Sequence, residues 1–94
     1  MYYTDYDSYD TLTVQIETQN YVIIGDVKIA HEGVADLDLY EDLLYQMLNS
    51  ELRFIRLENC IITERKNIDY RPEATEKMML NIDSILSCSV YKKI

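Results

Sequence analysis

Short runs of alternating apolar and polar residues set the tightest limit on how this chain folds. In residues 12–17 every second side chain is apolar, beginning with Leu12, and the same period of two returns in residues 21–30. Successive side chains of a strand point to opposite faces, so this pattern predicts two strands that each bury one face. Gly25 occupies one of the apolar-phase positions, and a glycine inside a strand often marks a bulge or a sharp bend. A bent second strand is what a small barrel needs in order to close.

The second half of the chain predicts further strands. Residues 52–58 and 59–64 form either two strands or one long bent strand, because the alternation slips by one residue at Asn59. A slip of one residue is typical of a β-bulge. Residues 78–82 and 85–91 then predict two closing strands joined by a tight turn.

A polar stretch, residues 65–77, separates these groups of strands and contains the only proline, Pro72. Proline is well tolerated at the first position of a helix. Pro72 is therefore either the first position of one helical turn through Lys77 or part of a long hairpin loop.

One segment predicts a helix. Residues 38–48 carry apolar side chains at the i, i+3 and i+4 spacing of an amphipathic helix. Asp38 is a good N-cap, and Glu41 three residues later completes a capping box. The helix follows a loop at residues 31–37 and is expected to end near Asn49, a residue that tolerates the left-handed exit conformation.

The first eleven residues show neither the period of two that is typical of a strand nor the i, i+3 and i+4 spacing of an amphipathic helix. They hold four tyrosines and three aspartates, and we interpret residues 1–11 as a flexible acidic tail before a single domain at residues 12–94. Each tyrosine can bury considerable area if a surface accepts it. The tail therefore either docks on a partner or lies across its own domain.

The charge is spread unevenly along the chain, whose net charge is −8. Residues 1–51 carry eleven acidic side chains and one basic side chain, whereas residues 52–94 carry six acidic and eight basic ones. Such halves attract each other between copies, or attract a basic partner, unless folding interleaves them on the surface. The overall acidity argues against a direct nucleic-acid surface, which needs clustered Lys and Arg.

Motifs that carry chemistry are absent from the sequence. It has no phosphate loop, no dinucleotide-binding fingerprint and no nucleophile elbow. An acidic cluster near the predicted helix lacks the spacing of a calcium loop, and helix capping accounts for most of it. We therefore expect a protein that is not an enzyme, with no catalytic residue, no metal site and no cofactor. The cluster comprises Asp36, Asp38, Glu41 and Asp42.

Cysteine usage and hydropathy predict a cytoplasmic location. Cys60 and Cys88 lie far apart in apolar runs, which is typical of reduced, buried thiols. The longest unbroken apolar run has four residues, 21–24, whereas a membrane-spanning helix needs about 20. The sequence does not show the basic start followed by an apolar stretch that is typical of a signal peptide. We also expect no membrane association.

Three blocks of the sequence resemble a family of short, uncharacterised bacterial domains with the plan of a small Sm-like or SH3-like barrel. The blocks are YVIIGDV at residues 21–27, EDLLYQMLNSELRFIRLENCII at residues 41–62 and LNIDSILSCSV at residues 80–90. The resemblance implies a mainly β fold with one helix, of the α+β class. Its expected form is a small five-stranded barrel with the helix inserted between strands 2 and 3.

The resemblance does not extend to the RNA contacts of Sm-like proteins. Those that bind RNA use an Asp and Asn loop after the second strand and an Arg-Gly-Asp type turn before the last strand. Here an acidic helix replaces the first loop, and residues 81–83 read Asn-Ile-Asp. Fold similarity alone does not carry function.

These features favour a non-enzymatic module for protein interaction or self-assembly. Its expected partner is a protein with a basic surface or a second copy, which would form a homo-oligomer. The alternative is an acidic inhibitor or decoy that occupies the basic groove of a nucleic-acid-binding protein. Candidate partner-binding residues are Tyr2, Tyr3, Tyr6, Tyr9, Asp36, Asp42 and Tyr45.

Overall fold

The structure is a computed structural model, and it describes residues 8–31, 37–49, 51–66 and 71–93. Within these ranges the chain forms five β-strands, one α-helix and a short 3₁₀ helix. A mainly β domain with one helix is therefore confirmed. In chain order the elements are β1 (Ser8–Glu17), β2 (Tyr21–His31), α1 (Leu37–Leu48), β3 (Phe54–Glu64), β4 (Glu73–Asn81), the 3₁₀ helix (Ile82–Ser84) and β5 (Ser87–Lys93).

All five strands belong to one antiparallel sheet with the order β4-β3-β2-β1-β5. The strands β4 and β5 are its two edges, although they follow each other in the chain. Within the described residues no strand pairing joins the two edges. The sheet is therefore open, and the closed barrel expected from the sequence is not shown.

A short connection, residues 82–86, joins the two edge strands and is anchored to the sheet at both ends. The backbone N–H of Ile82 donates to the carbonyl of Arg53, just before β3, at 2.8 Å. The N–H of Leu86 donates to the carbonyl of Glu17, at the end of β1, also at 2.8 Å. Asn81 caps the 3₁₀ helix, because its side-chain oxygen accepts from the backbone N–H of the residue two positions on. The tight turn predicted between the closing strands is thus present.

One face of the sheet supplies the hydrophobic core. The residues of the apolar phase in β1 are almost fully buried, and so are those of β2 from Ile23 to Ile29, which confirms the alternation predicted for these stretches. Burying each of these aliphatic side chains is worth about 1.5–3 kcal/mol relative to leaving it in water. Tyr21, which begins the phase in β2, is 40% exposed and departs from the prediction. The buried hydrophobic residues are Leu12, Val14, Ile16, Ile23, Val27, Ile29, Leu44, Ile55, Leu57 and Cys60.

The strand β3 runs unbroken through the point where the alternation slips. Ile24 of β2 pairs with Ile61, but Asp26 pairs with Glu58, so β3 advances three residues while β2 advances two. Asn59 lies in the extra step and has a φ of 52°, in the left-handed region that Asn tolerates better than most residues. Of the two alternatives that the sequence left open, the structure has one continuous strand, and the bulge predicted at Asn59 is confirmed.

Gly25 faces this bulge from β2. A Cβ atom placed on Gly25 would lie 3.0 Å from the Cys60 sulfur and 3.4 Å from the Cβ of Leu57. The missing side chain therefore lets β3 approach β2 closely where the register changes. The glycine's association with a bulge, expected from the sequence, follows from this contact.

β1 begins at Ser8, four residues earlier than the first apolar position, Leu12. Residues 8–11 pair with residues 28–31 of β2. Their polar side chains gave no alternation, but the sheet ladder is formed by backbone groups and requires only a partner strand of sufficient length. The end of the segment interpreted as a tail thus belongs to the sheet. Residues 1–7 lie outside the described residues.

Two other predicted boundaries were wrong. The helix begins at Leu37, so Asp38 lies in its first turn and is not the N-cap. β4 begins at Glu73, so residues 73–77 form neither a helical turn nor a loop. Pro72 immediately precedes the strand, where its missing N–H costs no ladder hydrogen bond.

The last strand differs in one detail. Leu86 precedes β5 and is 67% exposed, whereas Cys88 and Val90 are half-buried against the core as expected. The sequence phase placed all three on the inward face. Leu86 departs from it because it still belongs to the connection from the 3₁₀ helix.

Candidate functional site

The structure describes only part of the predicted partner-binding set. Tyr9 lies in β1, where its backbone position pairs with Ala30, and its side chain is not described. Two of the predicted side chains are described, Asp42 and Tyr45, and both are exposed on α1. Outside the described residues lie Tyr2, Tyr3, Tyr6 and Asp36.

The exposed side of α1 combines carboxylates with an aromatic ring. Tyr45 is 69% exposed, and the exposed side chains of Glu41 and Asp42 precede it by four and three residues. Residues at these spacings lie on one side of a helix. The neighbouring Leu44 is only 4% exposed and packs into the core. The outward side of α1 is therefore acidic and aromatic, which suits a basic partner.

The two halves of the sequence are adjacent in the sheet. β1 and β2, from the acidic half, lie between β3 and β5, from the other half. Arg65 also reaches across, since its guanidinium donates to the carbonyl of Thr18 at 2.9 Å and lies 3.9 Å from a carboxylate oxygen of Glu17. Folding thus partly interleaves the charges of the two halves. This favours the alternative in which the charge asymmetry of the sequence is reduced on the surface of the folded protein.

The strands β4 and β5 are the two edges of the described sheet. Each pairs on one side only among the described residues, β4 with β3 and β5 with β1. Edge strands present rows of N–H and C=O groups that another chain can pair with. β4 spans nine residues and β5 seven, which is long enough for such pairing.

A groove of about 780 Å³ lies beside β4, between this strand and the turn that joins β1 to β2. We call it the β4 groove. Its volume is in the range of ligand-binding clefts. Tyr21 and Leu86, which are 40% and 67% exposed, contribute to its lining. The other apolar lining residues are Ile23, Ile62, Met78 and Leu80.

A second groove, of about 390 Å³, lies between β2 and β3 where the two strands separate. We call it the β2–β3 groove. The last paired positions of the two strands are Asp26 and Glu58, and both line it. The remaining lining combines apolar and basic side chains, with Met47 contributed by α1. In the sequence, the local signal for this groove is limited to the apolar residues Leu52 and Phe54, which alternate with charged ones.

Asp26, which lines this groove, accepts two side-chain hydrogen bonds. One carboxylate oxygen accepts from the Thr13 hydroxyl at 2.7 Å, and the other accepts from the Asn59 side-chain amide at 3.2 Å. These bonds connect β1, β2 and β3. Each oxygen of the Asp26 carboxylate thus accepts one hydrogen bond, and the two bonds link the neighbouring strands at the bulge.

The two cysteines are free thiols. Burial raises the pKa of the Cys60 thiol, and the negative charges of Asp26 and Glu58 raise it further. Burial also raises the pKa of Cys88, to about 11. A thiol with a raised pKa is protonated near neutral pH and is a weak nucleophile. Both side chains therefore suit packing better than covalent chemistry.

In the described part of the chain, no three or more His, Cys, Asp or Glu side chains come together as a group that could hold a metal ion. Among the same residues, no helix has the length and apolar character needed to cross a membrane.

Comparison with models of protein families, with curated proteins and with solved structures found no match. The resemblance to small Sm-like or SH3-like barrels therefore stays a prediction from the sequence blocks.

Proposed function

We propose that this protein is a non-enzymatic self-assembly module, in which edge strand β4 of one copy pairs with edge strand β5 of the next. The observation that carries the proposal is the open sheet, whose two edges each pair on one side only among the described residues. Head-to-tail pairing of different edges builds rings or filaments. It would also protect both edges from indiscriminate association.

The charge pattern favours pairing between unlike edges. β4 begins with an acidic stretch that includes Glu73 and Glu76, whereas β5 ends with Lys92 and Lys93. Antiparallel pairing of β4 with β5 brings these stretches side by side, and opposite charges on facing strands contribute about 0.2–1 kcal/mol per pair. A symmetric β4–β4 pairing centred on Lys77 would place two lysines opposite each other.

The core pattern favours one register. Pairing Glu73 with Lys93 aligns Met78 with Cys88 and Leu80 with Leu86. Met78, Leu80 and Cys88 are half-buried and pack at the margins of the core. In this register apolar side chains of one copy would continue the core of the next, and Leu86 would gain a neighbour. A shift by one residue would turn them to the opposite face.

We further infer that the sheet curls as a small Sm-like or SH3-like barrel, with α1 inserted between β2 and β3. Three features support this form: the strand order, the bulge at Asn59 with its facing glycine, and the short connection between the edges. Bulges increase twist and bend in a sheet. A reducing compartment such as the cytoplasm suits the two free thiols.

A cysteine placed at Met78 tests the pairing and its register together. Met78→Cys should form a disulfide with Cys88 of another copy under mild oxidation, because directly paired strand positions have the Cβ separation that a disulfide needs. The linked species would appear on a non-reducing gel, and mass spectrometry of its peptides would join position 78 to Cys88. Adding Cys88→Ser should abolish this link.

Met79→Cys is the matched control, since Met79 is the next residue of the same strand and is 62% exposed. It should yield no peptide linked to Cys88. Light scattering should show a multimer for the unmodified chain, with a smaller mean mass at high salt because exposed ion pairs are screened. A monomer at all salt concentrations, or equal linkage from both variants, would exclude the proposed interface.

The acidic side of α1 favours a second candidate, an acidic decoy for the basic groove of a nucleic-acid-binding protein. Its supporting observation is the exposed set of Glu41, Asp42 and Tyr45. A protein captured from lysate should be displaced by DNA or RNA, and Asp42→Lys should weaken the capture. Gln46→Ala, at another exposed position of α1, is the control. Capture that nucleic acid does not compete with would reject the decoy.

A further inference from the structure

The β4 groove reaches the margin of the hydrophobic core. Ile23, one of its lining residues, is 2% exposed, and Ile62, Met78 and Leu80 are half-buried and pack against the core. Leu86, which is 67% exposed, adds an apolar side chain from the connection that precedes β5. A ligand in this groove would therefore cover apolar surface that the folded chain leaves in contact with water.

The size and lining of the β4 groove suit a small molecule. Its volume of about 780 Å³ lies within the range of roughly 300–1,000 Å³ that such sites occupy. β4 contributes the apolar side chains of Met78 and Leu80, and Tyr21 and Leu86 come from elements outside β4. A small number of polar groups among apolar ones is typical of a ligand site. The polar lining residues are Thr18, Gln19, Asn20, Glu73, Asp83 and Ser84.

The charged residues in the described lining of this groove are both acidic. Glu73 begins β4, Asp83 lies in the 3₁₀ helix that follows this strand, and both residues are exposed. Within the described part of the chain, neither carboxylate forms an ion pair. The lining therefore combines an apolar surface with negative charge that no lining residue offsets, and it favours a cation.

Arg65 is a cation bonded to a lining residue, but its charge is already balanced. Its guanidinium donates to the carbonyl of Thr18 at 2.9 Å and lies 3.9 Å from a carboxylate oxygen of Glu17. Arg65 itself does not line the groove. The pairing with Glu17 leaves Glu73 and Asp83 to set the charge of the groove.

We propose that the β4 groove binds a small amphiphilic amine, a molecule with an apolar body and a protonated amino group. The body packs against Met78, Leu80 and Leu86, and the ammonium group lies beside Glu73 or Asp83. A neutral apolar molecule gains only the apolar contacts, and an anionic one is repelled. The proposal does not depend on pairing between β4 and β5, which joins backbone groups of the two edges.

Three probes with the same alkyl chain and different head groups test this charge preference. They are octylamine, octanol and octanoate, each titrated into the full chain in a calorimeter at neutral pH. Octylamine should bind most tightly and octanoate least. Exposed ion pairs are weak, so octylamine should exceed octanol by about two- to fivefold in affinity. Absence of octylamine binding, or equal affinities for octylamine and octanoate, would overturn the proposal.

Removing both carboxylates locates the preference in the groove. Glu73→Gln combined with Asp83→Asn should reduce the affinity for octylamine to that for octanol and leave octanol binding unchanged. The matched control is Glu51→Gln combined with Glu76→Gln, which removes the same charge at two exposed positions outside the lining. This control should keep the preference for octylamine. An equal loss in both double variants would mean that octylamine responds only to net charge, and would overturn the site.

Leu86→Ser tests the apolar contact. It should weaken the binding of octylamine and octanol alike, by about three- to fourfold if the alkyl chain covers roughly 30 Å² of the leucine side chain. Because Leu86 is 67% exposed, the fold should stay intact, which circular dichroism verifies. Unchanged affinities in a folded Leu86→Ser variant would overturn the placement of the apolar body in the β4 groove.

Discussion

Asn59 donates a side-chain hydrogen bond to the carboxylate of Asp26 across β3 and β2, at 3.2 Å. Asn59 is also the one non-glycine residue with a positive φ in the described part of the chain. The bond therefore joins the strained position of the bulge to the neighbouring strand. Thr13 completes the arrangement from β1 by donating to the same carboxylate at 2.7 Å.

Replacing Asn59 should separate the two contributions of this residue. Asn59→Gly removes the hydrogen bond but suits the φ of 52°, so we expect a loss of about 1 kcal/mol in the free energy of unfolding. Asn59→Ala removes the bond and adds the left-handed penalty, about 1 kcal/mol more. Urea unfolding of both variants measures the difference. Equal stabilities would show that the φ imposes no strain.

Gly25→Ala should destabilise the protein through its contact with Cys60. The added Cβ would lie 3.0 Å from the buried sulfur, and overpacking of this kind costs about 1–3 kcal/mol. Cys60→Ala removes the sulfur, so the double variant should lose less stability than the sum of the single variants. A double-mutant cycle by chemical unfolding tests this coupling, and strict additivity would contradict the contact.

Leu44→Asp should unfold the domain, because Leu44 is 4% exposed and an unpaired buried carboxylate costs several kcal/mol. Tyr45→Asp is the matched control at the adjacent residue, which is 69% exposed, and should change stability by less than about 0.5 kcal/mol. Thermal unfolding followed by circular dichroism distinguishes the two. A native Leu44→Asp variant would mean that α1 does not pack on the core through this side chain.

Deleting residues 1–10 should lower the thermal midpoint more than deleting residues 1–7. The longer deletion removes three strand positions, Ser8 to Asp10, that pair with β2. Each 1 kcal/mol lost corresponds to about 4–8 °C in a domain of this size. Calorimetry of the two truncated chains measures the contrast. Identical midpoints would show that the start of β1 adds nothing to stability.

The thiol of Cys88 should make stability fall at alkaline pH. Its pKa in the folded protein is about 11, above the ordinary value of 9.0, so the folded state binds the proton more tightly than the unfolded state does. The resulting stability is present below about pH 9 and is lost as the pH rises towards 11. The stability of Cys88→Ala should decline less than that of the unmodified chain over this window. Comparing the two cancels the titration of the tyrosines, and parallel curves would contradict the shift.

The central strands could be predicted from the sequence, but the margins of the sheet could not. β1 and β2 alternate cleanly because both lie inside the sheet and bury one face. In β4 no residue is fully buried, so residues 73–77 show no apolar alternation. Residues 8–11 are polar as well and are held by backbone pairing with β2. Apolar alternation appears in a sequence only where a strand buries one face. These positions form strands although few of their side chains are buried.

The candidate site could also be predicted only in part. Asp42 and Tyr45 could be named from charge and aromatic content, and both are exposed. The grooves could not, because each depends on where two strands part or on which turn faces an edge. Phe54 lines one of them only because β2 and β3 stop pairing at Glu58. Such long-range geometry leaves almost no trace in local sequence.

The connection at residues 82–86 limits how flat the sheet can become. Four inter-strand spacings place the edges of a flat five-stranded sheet about 19 Å apart. A connection of five residues, three of them in a 3₁₀ helix with a rise of about 2 Å per residue, spans less than that. The curvature of the sheet is thus enforced by a covalent tether in addition to side-chain packing. A variant with a longer connection between β4 and β5 should form a flatter sheet. Its edge strands would then meet a neighbouring copy at a different angle.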